Sequence, residues 1–231
     1  SSAGTNLQLN TVCIGDSAGF GRSGYRTVAV GSGAMGFGSG KTAVNRNTAI
    51  GYHALYRIDT NSTDNIALGH EASQFLTTAL ENLAIGDNAA RSSTANGHIS
   101  IGYQAGYSQT SGANNTNLGF EAGYTNTTGA SRVMLGYEAG RNNTGSNNVF
   151  LGKATGKGAG SGSQTIAIGQ GVMETGSAAS NSVFIGNYMA ANTTAGANST
   201  VAIGTNCLSA AGYSAENNTV VGHQSGNNLS S

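Results

Sequence analysis

One short phrase recurs thirteen times along this chain, and it decides what the chain can fold into. Its copies end at Gly15, Gly31, Gly51, Gly69, Gly86, Gly102, Gly119, Gly136, Gly152, Gly169, Gly186, Gly204 and Gly222, at steps of 16 to 20 residues. Repeats of short, even period stack as a solenoid, one unit per coil. The residue before the glycine is Ile, Leu or Val in every copy, and the residue three before it is Val, Ile, Leu or Thr. Those two positions share one face of a strand. The residue between them is mostly small, as Ala49, Ala67 and Ala84, or larger and apolar, as Met134, Phe150 and Phe184. Both strand faces are therefore mostly apolar, and a second covering surface is required.

Three residues after the glycine stands Ala in the first eight copies, Ala18 to Ala139, then Thr155, Val172, Met189, Cys207 and Ser225. This column predicts a second short strand with one small inward side chain. Turns rich in Asn and Gly complete the coil, as in Asn126-Thr127-Thr128-Gly129. Asn-rich pairs such as Asn114-Asn115 and Asn147-Asn148 precede the apolar phrase, and stacked Asn side chains bond from coil to coil. The expected organisation is a lead-in over 1–9, a single β-solenoid over 10–226 and a tail over 227–231.

Composition agrees. The chain has 37 Gly, no Pro, and equal numbers of basic and acidic residues, with only 9% charged. Zero net charge steers nothing toward nucleic acid. No apolar stretch reaches the roughly 18 residues of a membrane helix, so no membrane insertion is expected. A coil with one thin core gains little against a chain-ordering cost of about 1–2 kcal/mol per residue. Closed association of the second apolar face around a symmetry axis would supply the rest. The unpaired sheet edges at the ends predict continuation into further segments or end-to-end stacking.

Asn47-Thr48-Ala49-Ile50-Gly51 and Ser199-Thr200-Val201-Ala202-Ile203-Gly204 resemble the head repeats of YadA-type trimeric autotransporter adhesins. Ile101-Gly102-Tyr103-Gln104-Ala105-Gly106 is similar to repeats of bacteriophage tail fibres. The resemblance spans residues 10 to about 226. It implies an all-β, left-handed parallel β-roll, a homotrimeric rod and a non-enzymatic adhesive role. Coils here are longer than the family's, so their outer turns are larger.

Gly31-Ser32-Gly33-Ala34-Met35-Gly36 spells a dinucleotide fingerprint, but Gly38 and Gly40 oppose the helix it needs, and no cofactor is expected. Gly152-Lys153-Ala154-Thr155-Gly156-Lys157 lacks phosphate-loop spacing. Cys13 and Cys207 are eleven coils apart and read as free buried thiols. His53 and His70 read as neighbours on opposite faces, without a third metal ligand. Glu121 and Glu138 stack in adjacent coils, where a carboxylate pair would suit a glycosidase or a cation, or simply face solvent. Thr77, Thr94, Thr110, Thr127, Thr144 and Thr194 form a column that would order water in an ice-binding solenoid, or bond within turns. Tyr52, Tyr103, Phe120 and Tyr137 form one aromatic column, and Tyr107 and Tyr124 a second. These six are the candidate surface-binding residues, either stacking on sugar rings or packing over the turns.

The expected function is an adhesive or structural fibre segment, extracellular, on a cell surface or in a virion tail fibre. Its partners would be its own copies and a surface glycan or protein. The alternatives are a self-stacking filament, a tailspike-type polysaccharide hydrolase and an ice-binding solenoid.

Overall fold

The computed structural model describes residues 10–21, 24–37, 44–59, 61–175, 178–190, 198–209 and 216–227. It is an all-β parallel solenoid whose described residues include no helix. The chain forms two compact units, Ser1–Asn114 and Asn115–Ser231. The first holds β1 (Val12–Ile14), β2 (Val28–Val30), β3 (Thr48–Ile50), β4 (Ile66–Leu68), β5 (Leu83–Ile85) and β6 (Ile99–Ile101). The second holds β7 (Thr116–Leu118), β8 (Val133–Leu135), β9 (Val149–Leu151), β10 (Ile166–Ile168), β11 (Val183–Asn187), β12 (Val201–Thr205) and β13 (Thr219–Val221). Consecutive strands pair in parallel within each unit, giving eleven coil-to-coil steps. Register matches the repeat: Val12 faces Val28, and Ile166 faces Val183.

The repeat glycine sets the spacing of the coils. All thirteen have φ between 125° and 151°, a region side chains rarely adopt. A Cβ on Gly86 would also lie 2.6 Å from the carbonyl oxygen of Gly102 in the next coil. Conformation and close approach both demand glycine here.

Among the described residues, the expected second strand is absent. The residues after the glycine form a turn, with φ of 47° to 75° both two and four after it in every copy. Left-handed φ costs an L-residue about 1–2 kcal/mol. Coil-to-coil hydrogen bonding is what this backbone gains in return. Gly136 and Glu138 N–H donate back to Leu118 and Phe120 carbonyls, each at 2.8 Å. Gly140 and Asn142 N–H donate forward to Thr155 and Lys157 carbonyls, at 2.8 and 3.1 Å. The ladder thus continues past the strand without extended geometry.

The inward column begins at the middle strand residue. Ala49, Ala67, Met134, Phe150 and Phe184 are fully buried, as are Ala18 to Ala139 three after the glycine. In five coils the residue four after the glycine is matched in size to the middle strand residue of its own coil. Phe150 lies over Gly156, where an added Cβ would sit 2.6 Å from ring atoms Cε2 and Cγ. Met134 lies over Gly140, where a Cβ would meet the Met134 Cε at 2.6 Å. Small Ala49, Ala29 and Ala202 are matched instead by buried Leu55, Met35 and Leu208. In these five coils a large side chain at one position faces a small one at the other.

This balance predicts the outcome of a double-mutant cycle. Phe150→Ala should cost about 3–5 kcal/mol, and Gly156→Leu should also destabilise. The double variant should recover at least about 1 kcal/mol relative to additivity, read from chemical denaturation. Strict additivity would contradict the pairing.

Candidate functional site

The strand's outer face is an exposed apolar feature of each unit. Ile50, Ile66 and Ile99 in the first unit, and Leu118, Val133, Ile166 and Ile203 in the second, stand 38 to 43% exposed. The side chains flanking the buried middle residue therefore form two parallel aliphatic columns that face away from the core. Contiguous apolar surface of this kind is a candidate interaction site.

The first aromatic column stands beside it. Tyr52, Tyr103, Phe120 and Tyr137 are all exposed. Phe120 and Tyr137 stack across adjacent coils, with centroids 5.1 Å apart and planes 8° apart. Tyr52 stacks instead on His53, at 3.9 Å, and on His70, at 5.3 Å. The two histidines thus share one surface, contrary to the expectation of opposite faces. His53 has φ of 52°, which defeats the simple alternation of a strand. Partial burial lowers the pKa of His53, the neighbouring Glu71 opposes that shift, and His70 adds to it.

Tyr107 and Tyr124, the second column, are half-buried, and each lies against an arginine guanidinium. Arg91 lies 5.6 Å from the Tyr107 ring centroid and donates to its hydroxyl at 3.1 Å. Arg141 lies 5.0 Å from the Tyr124 centroid. The same arginines bind carboxylates of the preceding coil: Arg91 pairs Glu71 at 3.0 Å, and Arg141 pairs Glu121 at 2.5 Å. Lys157 pairs Glu138 at 2.8 Å in the same pattern. Glu121 and Glu138 are therefore largely covered and salt-bridged, which removes the free carboxylate pair weighed from sequence. The hydrogen bond from Arg141 to Glu121 leads the causes that raise the arginine's pKa. Among the described residues, no group of three His, Cys, Asp or Glu side chains could hold a metal ion.

Beneath this surface runs a buried polar column, four before the glycine. Asn65 donates from Nδ2 to Asn47 Oδ1 at 3.0 Å, and Asn82 to Asn65 at 3.1 Å. Each Asn Oδ1 also accepts the next backbone N–H, as from Asn82 at 3.0 Å. Arg132 occupies this column in the second unit and is 1% exposed. Its Nε donates to Asn115 Oδ1 at 3.2 Å and its Nη1 to the Asn143 carbonyl at 2.8 Å, while Nη2 has no partner. Burial pushes its pKa down to about 9.

Other candidates resolve as structure. A turn follows Gly31, through Met35, where a dinucleotide site needs a helix. Another turn, Gly152 to Gly158, holds the Lys153 motif. Both cysteines are free, Cys207 buried and Cys13 half-buried with its pKa raised by burial. Thr94 donates to the Thr110 carbonyl of the next coil, and Thr144 to that of Gly160 at 3.4 Å, which is turn bonding; Thr194 lies outside the described residues. Sequence reasoning missed a third surface column, six after the glycine, holding Phe37, Arg57 and Phe75. Its signal was the shared spacing from Gly31, Gly51 and Gly69.

No family model matches this chain, and no curated protein or solved structure matches it significantly.

The buried Arg132 makes stability depend on alkaline pH. Its folded pKa, about 9, lies well below the ordinary guanidinium value, so between the two the unfolded chain binds more protons. Stability should therefore rise with pH across that window. The melting temperature of the native chain should gain on that of Arg132→Met between pH 8 and 10.5. Parallel pH profiles would contradict an uncompensated buried charge.

Proposed function

We propose that this chain is a non-enzymatic segment of an adhesive fibre, of the phage tail-fibre or cell-surface adhesin kind, working outside the cell. In this reading its coils wind left-handed, thirteen in all, and three chains pack around a common axis. The observation that carries the reading is the double aliphatic column on the outer face of the strands. A monomer leaves it in water, whereas closed cyclic association buries it and leaves the aromatic columns outside. Exposed stacked rings such as Phe120 and Tyr137 supply plates for sugar faces. Repetition from coil to coil and from chain to chain turns weak contacts into avidity, by a factor of about 100 to 10,000.

Sedimentation equilibrium should give three times the 23.0 kDa chain mass. Ile166→Lys combined with Ile168→Lys keeps the inward Ala167 and should dissociate the assembly with the β circular dichroism retained. Glycan-array binding should weaken with it. A native mass of one chain would contradict the assembly. No retention on any glycan or cell surface would contradict the adhesive role, and cleavage of polysaccharide by the purified protein would overturn the non-enzymatic one.

A further inference from the structure

Five consecutive coils of the first unit carry an alternating row of rings and cations. Its members are Phe37, Arg57, Phe75, Arg91 and Tyr107. The Arg57 guanidinium carbon lies 5.4 Å from the Phe37 centroid and 5.4 Å from that of Phe75. Arg91 lies 4.8 Å from Phe75 and 5.6 Å from Tyr107. Tyr56 stacks on Phe37 at 5.6 Å and widens the plate.

The two arginines differ in their hydrogen bonds. Arg91 is half-buried, salt-bridged to Glu71 and bonded to the Tyr107 hydroxyl. Arg57 is exposed, and among the described residues no carboxylate, carbonyl or hydroxyl accepts from its guanidinium. A cation–π contact engages the charge of a guanidinium and consumes none of its five N–H donors in conventional hydrogen bonds. That planar fork is suited to two-point binding of a carboxylate or sulfate. The ring on each side offers an apolar plate beside the anion position. A saccharide bearing an anionic group has both halves of the match: a C–H face for the ring and a planar or tetrahedral anion for the fork.

We propose that Arg57, held between Phe37 and Phe75, binds the anionic group of an acidic polysaccharide, with neighbouring sugar rings lying on the aromatic plates. This rests on the adhesive reading above and names its ligand class. Arg57 supplies the charge-specific contact. Arg91, whose charge Glu71 already answers, braces Phe75 and Tyr107.

The test uses the full chain in its native assembly. Polygalacturonate fragments, sulfated chondroitin fragments and neutral dextran are titrated by calorimetry, and binding to neutral sugars is read on a glycan array. Either anionic ligand should bind, more weakly at high salt, and the preferred one identifies the group as carboxylate or sulfate. Arg57→Gln should weaken that binding at least tenfold with native mass and melting temperature unchanged. Arg57→Lys, which keeps the charge and loses the fork, should recover it only in part. Equal binding by native protein and Arg57→Gln, or binding to neutral sugars alone, would overturn this assignment and leave the adhesive role standing. Failure to bind any sugar or cell surface would overturn both.

Discussion

Close stacking of one backbone position on its neighbour in the next coil governs this structure. At the repeat glycine the chain turns out of its strand with φ above 120°, and the next coil's carbonyl occupies the space of a missing side chain. Any Cβ there would push two coils apart and break the ladder on both sides. Because that contact holds the coils in register, every other position acquires a fixed column. Apolar, polar, aromatic and charged groups then fall into separate vertical rows without any long-range instruction in the sequence.

Those rows divide the work. The middle strand residue and the residues three and four after the glycine make the core. Buried Asn side chains answer the backbone N–H groups that a curved coil leaves without strand partners. The flanking aliphatic residues of the strand face outward and give the surface on which the proposed association would rest. Ion pairs from the second position of one coil to the fifth of the next, Glu71 to Arg91, Glu121 to Arg141 and Glu138 to Lys157, fasten adjacent turns where no strand is present. Being partly exposed, they contribute modestly each, about 1 kcal/mol or less.

Much of this was legible before any coordinates. The apolar phrase marks the strands, its spacing marks the register, and the alanine column and the Asn pairs mark the interior. The second strand was misread because small inward residues at Ala18 to Ala139 fit either a strand or a turn. The left-handed positions that decide between them hold Glu71, Gln104, Glu121 and Leu55, which have no special preference for positive φ. Glycine at Gly33, Gly171, Gly106 and Gly140 in the same columns was the available signal. The pairing of Phe150 with Gly156, and of Ala49 with Leu55, was also present and was hidden by reading each column alone. The partners of Glu121 and Glu138 were beyond sequence reasoning, since a cation three positions further along the next coil becomes a neighbour only once the turn geometry is known.

The central claim is that coil-to-coil hydrogen bonding runs through the turn as firmly as through the strand. Residue-resolved hydrogen exchange on the native protein tests it most directly. Protection at the Gly136, Glu138 and Gly140 amides should match that at Val133 within the same coil, because all four donate to neighbouring coils. Strong protection at Val133 with rapid exchange at Glu138 and Gly140 would contradict the account and leave the repeat as isolated strands joined by ordinary loops.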